Sequence, residues 1–128
     1  MNIGIIGAGL IGNKRAQSIF NFKGDSILAV VDVDIKKAKA LASTIGCDYF
    51  SDPEKVFGNP KIDAVLVCTI NKYLVPLSLG ALKAGKHVLC EKPLGINTKE
   101  IAKCVNIAKK KKFIYKAGYN HRFHTAIF

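Results

Sequence analysis

No apolar run in this chain approaches the roughly 20 residues that a membrane-crossing helix requires, so no membrane partner is expected. The N-terminus also lacks a charged stretch leading through an apolar segment to a small-residue cleavage site. With no secretory leader expected, the expected location is cytoplasmic. Cysteine occurs four times, as Cys47, Cys68, Cys90 and Cys104, but never as a C-x-x-C pair. The histidines, His87, His121 and His124, fall at no ligand spacing with them, so neither a metal site nor a disulfide is indicated and the thiols are expected to be reduced core residues. Acidic residues are few, nine against twenty basic ones, for a formal net charge of +11. Such an excess attracts nucleic acid, acidic membranes or phosphorylated ligands. Apart from Lys109 to Lys112, however, the lysines are spread along helical segments, and no basic stretch is interleaved with aromatics. Solvated helix faces are the expected reading, and nucleic acid is not an expected partner. There is no internal linker or low-complexity tract, and 128 residues with 49% hydrophobic content are expected to form one domain with a sizeable core.

What is present is concentrated at the start. Residues 2 to 32 run through a short apolar strand at Ile3-Gly4-Ile5-Ile6, then a G-x-G-x-x-G turn at Gly7, Gly9 and Gly12. A helical pattern opening at Leu10 and Ile11 follows, and then a second apolar strand, Ile27 to Val31, with Asp32 at its end. A glycine pattern alone is weak evidence; strand, turn, helix, second strand and carboxylate in this order form a dinucleotide-binding fingerprint. Gly7 allows the tight turn out of the strand. Gly9 lets the main chain approach a pyrophosphate, and Gly12 lets the helix pack closely. The phosphates would sit at the helix N-terminus, where unpaired N–H groups and the macrodipole favour an anion. Asp32 would accept hydrogen bonds from the ribose hydroxyls. It would repel a 2′-phosphate, and Val33 offers no compensating group, so NAD is expected over NADP, a preference softened by the nearby Lys36 and Lys37.

Strands and helices alternate through the rest. A helix from Asp34 to about Ile45 carries Ile35, Ala38, Leu41, Ala42 and Ile45 on one face and stops at Gly46. Cys47 to Phe50 reads as a third strand, and Ser51-Asp52-Pro53-Glu54 opens a brief helix that ends at Asn59-Pro60. Ile62 to Cys68 reads as a fourth, fully buried strand. The next helix, from about Lys72 to Ala84, places Pro76 near its first turn, where proline costs least. His87 to Cys90 is a fifth strand, Asn97 or Thr98 caps a helix ending in the lysine run, and Phe113 to Tyr119 is a sixth strand. The expectation is an α/β, three-layer, doubly wound parallel sheet, a Rossmann fold of strand order 3-2-1-4-5-6. Ligands bind such a sheet outside the carboxyl ends of its strands. That directs attention to Gly7 to Gly12, Asp32, Thr69 to Tyr73, Glu91 to Pro93 and Asn120 to Arg122.

The stretch AGKHVLCEKPLG at 84 to 95, with GIIGAGLIG near the start and GYNHRF at 118 to 123, resembles the Gfo/Idh/MocA family of nicotinamide-dependent oxidoreductases. That family includes glucose-fructose oxidoreductase and inositol dehydrogenase. The resemblance implies that Glu91 contacts the nicotinamide ribose and that Lys92 lies beside the reacting carbon as the catalytic residue. There its ammonium would donate hydrogen bonds to a developing alkoxide or carbonyl. It also implies that Thr69, Asn71 and Arg122 line the cofactor groove, the latter two toward the nicotinamide end, while Pro93 marks a turn and a candidate cis peptide. The chain departs from the family's pattern in two stretches. The T-P-N-x-x-H run after the fourth strand has Ile70 for its proline and Leu74 for its histidine, and Thr125 stands where R-F-x is often followed by proline.

The resemblance further implies a second domain that supplies the substrate pocket and the acid/base residue. Residues 1 to 120 are expected to form the dinucleotide-binding domain and 121 to 128 to begin the connection to that domain, which this chain does not contain. A sugar-like, polyol or sugar-nucleotide substrate would then be engaged only with the second domain. The chain alone would bind dinucleotide, be nearly inactive, and self-associate through apolar surface near the sixth strand. Two other readings stay open: a free-standing NAD-binding or interaction module, and a basic nucleic-acid binder that reuses the fold.

Overall fold

The computed structural model describes residues 1–123 and 125–127; His124, counted among the histidines above, and Phe128 lie outside the described residues. Six strands, β1 (Asn2–Ile6), β2 (Ser26–Val31), β3 (Asp48–Phe50), β4 (Ala64–Val67), β5 (His87–Cys90) and β6 (Tyr115–Ala117), form one sheet in the order β3-β2-β1-β4-β5-β6. Every pairing is parallel. The crossovers carry α1 (Leu10–Phe20), α2 (Ile35–Ile45), α3 (Glu54–Phe57), α4 (Asn71–Lys83) and α5 (Thr98–Lys111), followed by 3-10 turns at Asn120–Phe123 and Thr125–Ile127. The expected doubly wound Rossmann topology is the one observed.

Two apolar layers flank the sheet because alternate strand residues face opposite ways. Ile3, Ile5 and Leu66 pack with Ala16 of α1 and Ala38 and Leu41 of α2. Val65, Val67 and Val88 pack on the other face with Val56, Leu74, Leu82 and Cys104. In β2 the alternation slips once: Ile27 and Val30 belong to the first layer, Ala29 and Val31 to the second. The register explains it, since Ile3 pairs with Ile27 but Gly4 with Ala29, leaving Leu28 as an extra residue. Each fully buried Leu, Ile or Val contributes roughly 1.5–3 kcal/mol, so the sheet that carries the site is held mainly by these two layers.

The helix ends follow local chemistry. Asp34 Oδ1 accepts from the Lys36 N–H at 3.0 Å to open α2, and Gly46, at φ +83°, closes it. Asn97 Oδ1 accepts from the Glu100 N–H at 3.0 Å to open α5, so of the two candidates Asn97 is the cap. Asp52 does the same for Glu54 before α3.

Several boundaries differ from expectation. The third strand starts at Asp48 rather than Cys47, the fourth spans Ala64–Val67 within the expected 62–68, and the sixth only Tyr115–Ala117 within 113–119. The flanks still bond across the sheet, His87 N–H to the Asp63 carbonyl at 3.0 Å and Gly118 N–H to that of Cys90 at 2.8 Å. Phe113 turns instead to the end of α5, donating to the Ala108 carbonyl at 2.9 Å. Pro76 is the sixth residue of α4, hence in its second turn, because the helix starts at Asn71 behind Ile70. Its missing N–H would have served the carbonyl of Lys72, and both residues are exposed, so water can take that role. Of the cysteines expected in the core, Cys90 and Cys104 are buried, whereas Cys47 and Cys68 are only half-buried; all four are free thiols.

Candidate functional site

A groove of about 480 Å³ opens at the carboxyl ends of β1, β2 and β4, at the switch point of the strand order. Its wall is mostly apolar: Ile6, Val31, Val33, Ile70, Tyr73 and Leu77 contribute, together with Pro53. Among the polar groups that line it are Asp32, Thr69, Ser51 and Lys37, and the floor includes Gly7 and Gly9.

The glycine turn is built almost entirely from main chain. Gly7 adopts φ +105°, and a Cβ on it would lie 2.3 Å from the Cys68 carbonyl oxygen, so no side chain is admissible. At Gly12 a Cβ would lie 1.8 Å from the Gly7 carbonyl oxygen; this glycine lets α1 sit directly on its own turn. Gly9 is different: nothing lies within 4 Å of the Cβ position, so its lack of a side chain keeps the groove open instead of relieving a clash. As N-cap of α1 it supplies no side-chain hydrogen bond. The first intrahelical donor is Asn13, whose N–H reaches the Gly9 carbonyl at 3.0 Å. The N–H groups of the first turn, from Gly9 to Gly12, thus remain for an anion. Asn13 stiffens the turn further, its amide donating to the carbonyls of Ala8 and Gly9, each at 2.9 Å.

Asp32 is tied to that turn. Its Oδ2 accepts from the Ala8 N–H at 2.8 Å and its Oδ1 from the Asp34 N–H at 2.9 Å. Each carboxylate oxygen keeps a lone pair for a further donor. Cys68 forms another part of the wall. Burial, reinforced by the charge of Glu91, pushes its thiol up to about 12, so it lines the groove as a neutral group near pH 7.

Beyond β5 the chain makes the Glu91-Lys92-Pro93 turn, with the Lys92–Pro93 peptide cis. Glu91 is buried, and its Oε1 accepts from Arg15 Nε at 2.6 Å and is ion-paired with Arg15 Nη2. Arg15 Nη2 also donates to the Gly118 carbonyl at 3.3 Å. Lys92 is exposed.

Of the residues expected at the site, Gly7, Gly9, Leu10, Ile11, Asp32 and Thr69 meet in the groove. Gly12 lies under the turn. Asn71 is exposed at the start of α4, Arg122 is exposed in the 3-10 turn after β6, and Glu91 and Lys92 stand after β5, none of them in the groove wall. At the departures from the family pattern, Ile70 lines the groove while Leu74 is wholly buried in the core. Sequence reasoning missed Arg15, Asn13, Ser51 and Pro53, whereas Tyr73 closes the segment 69 to 73 that it singled out. For Arg15 a signal existed, since a residue one turn after Gly12 shares its inward face. For Ser51 and Pro53 the signal was their place just after the third strand, where the carboxyl-end rule applies as it does after the others.

An uncapped helix N-terminus, open space over Gly9, a carboxylate bonded to the turn and an apolar cleft at a switch point define a dinucleotide-binding Rossmann domain. Residues 1–119 match the model of the Gfo/Idh/MocA oxidoreductase family, described by its NAD-binding Rossmann fold, and the chain belongs to that family. Among its relatives, myo-inositol 2-dehydrogenase of Thermotoga maritima is 33% identical over 124 residues, covering 96% of this chain and 37% of that protein. D-glucoside 3-dehydrogenase of Escherichia coli is 32% identical over 125 residues, covering 96% and 36%. The crystal structure of a putative myo-inositol dehydrogenase from Sinorhizobium meliloti superposes with a TM-score of 0.92 at 28% identity, over 98% of this chain and 38% of that one. The chain therefore spans just over a third of the length of these relatives. Among the described residues no helix is long and apolar enough to cross a membrane.

Proposed function

We propose that this chain is the cofactor-binding part of an oxidoreductase that uses NAD in preference to NADP and acts on a polyol or sugar. The observation that carries the reading is Asp32. Its carboxylate is fixed by the Ala8 and Asp34 N–H groups inside the groove, which supports ribose hydroxyls as its remaining partners and disfavours a 2′-phosphate. Val33, beside it, is 91% exposed and offers no anion-binding group, while Lys37 reaches the same wall and moderates the preference.

The groove suits the cofactor: the first turn of α1 would hold the pyrophosphate, Asp32 the adenosine ribose, and Val33, Ile70 and Tyr73 the adenine. Glu91, Asn71 and Arg122 would bind toward the nicotinamide. Bound NAD supplies the hydride acceptor. Lys92, exposed at the end of the E-K-P turn, would be the catalytic residue, its ammonium hydrogen-bonding the substrate oxygen as charge develops on it. The substrate class rests on the inositol and glucoside dehydrogenases among the relatives.

On this reading a substrate domain following these residues completes the enzyme, and residues 121 to 128 begin the connection to it. The 128-residue chain then binds NAD without oxidising myo-inositol, and it functions in the cytoplasm. Exposed Ile114, Tyr119 and Phe123 beside β6 support self-association of the isolated chain. Calorimetric titration with NAD and NADP tests the proposal: NAD binding at least about tenfold more tightly is expected, and equal affinities would remove the basis of the cofactor preference.

A further inference from the structure

We propose that Arg15 is a positioning residue for the nicotinamide end of the cofactor site, acting through Glu91; the inference rests on the reading that Glu91 meets the nicotinamide ribose.

Three separate elements meet at its guanidinium. Arg15 projects from α1 one turn past the glycine turn, Glu91 stands at the end of β5, and Gly118 follows β6. The pair is shielded, with side-chain exposures of 19% for Arg15 and 11% for Glu91, so its attraction is less screened than at the surface. The manner of pairing is unusual for a guanidinium, which commonly engages both oxygens of a carboxylate. Here Nε and Nη2 converge on Oε1 alone. Among the described residues nothing donates to Oε2, and Oε2 is not one of the buried polar atoms left without a partner, which are Ser78 Oγ and Tyr115 OH. Arg15 neutralises the buried charge through one oxygen and leaves the other available to a hydroxyl donor, the chemistry of a ribose.

The backbone around the pair is shaped to permit it. A Cβ on Gly118 would lie 2.9 Å from Arg15 Nη2 and 2.9 Å from Glu91 Oε1, so any side chain there obliges the paired groups to shift. Arg15 itself is absent from the wall of the groove. It acts on the ligand through Glu91, and through rigid α1 it links the pyrophosphate turn to the E-K-P turn.

The test compares NAD with ADP, which lacks the nicotinamide ribose, by calorimetry on the 128-residue chain and its R15Q, R15K, G118A and E91Q variants. R15Q is expected to weaken NAD about tenfold and ADP less than about twofold. R15K, which retains the charge and part of the hydrogen bonding, should recover part of the loss. G118A, with Arg15 intact, should reproduce the selective loss of NAD affinity. If R15Q and G118A change NAD and ADP equally, or change neither, the inference is overturned. A wild-type chain that binds neither ligand at millimolar concentration overturns the reading of the groove itself. If E91Q leaves the difference between NAD and ADP unchanged, the role of Glu91 fails, and that of Arg15 with it.

Discussion

On the proposed reading the two ends of the cofactor site are made in different ways. At the turn after β1 the surface is main chain: three glycines, an uncapped helix and one carboxylate bonded to the Ala8 N–H at 2.8 Å. At the turn after β5 it is made of side chains, a shielded Arg15–Glu91 pair followed in the chain by the exposed Lys92. The first is rigid before any ligand arrives, since its atoms belong to the sheet and to α1. The second depends on rotamers, one of which is held by a partner 76 residues away in sequence. Binding strength should accordingly come mostly from the first end, and orientation of the reacting ring from the second.

Substitutions can break that contrast. The largest effect is expected at Gly12→Ala, where the new Cβ would fall 1.8 Å from the Gly7 carbonyl oxygen. Urea denaturation should show a loss of about 3 kcal/mol or more; a loss below 1 kcal/mol would mean the turn yields easily and is not preorganised. Next is Asp32→Ala, which removes the acceptor for the Ala8 and Asp34 N–H groups as well as for the ribose. NAD should bind roughly 10- to 100-fold more weakly, with a smaller change for NADP; equal losses would contradict the cofactor preference. Gly9→Ala is the sharper variant. Its φ of −78° suits alanine and its Cβ site is empty, so the melting temperature should stay within about 2 °C. NAD affinity should nevertheless fall about tenfold, because the methyl enters the phosphate path, and unchanged NAD affinity would show that the ligand avoids this turn. The smallest effect is expected at Lys92→Ala, an exposed site: stability within about 0.5 kcal/mol and NAD affinity within about twofold. A large affinity loss there would move Lys92 from the reacting oxygen to the cofactor.

The same contrast explains what could be read without a structure. Gly7, Gly9, Gly12 and Asp32 lie within one β-α-β unit, so their spacing alone records their geometry, and the strand order follows from alternation and the place of the glycine turn. The bulge at Leu28 left no trace, because β2 is apolar on both faces and alternation cannot reveal a slip. Strand ends blurred for a related reason: Ile62 and Phe113 are apolar because they pack against neighbours, not because they pair. The start of α4 came one residue earlier than expected because Ile70, with no capping side chain, gives no signal of it, and Pro76 falls in the second turn. Tyr73 belongs to a region the sequence did single out, but that it walls the groove while Leu74 turns into the core needs the helix phase. The Arg15–Glu91 pair was beyond reach from spacing, since the sheet order alone brings α1 beside the ends of β5 and β6.

The central claim is that the groove over the glycine turn holds the adenosine half of NAD, and titrating NAD into the wild-type chain and Gly9→Ala under identical salt tests it most directly. Saturable NAD binding by the wild type, weakened about tenfold in a variant of unchanged melting temperature, is the result expected. No NAD binding at millimolar concentration, alongside DNA binding that collapses steeply with salt, would contradict it.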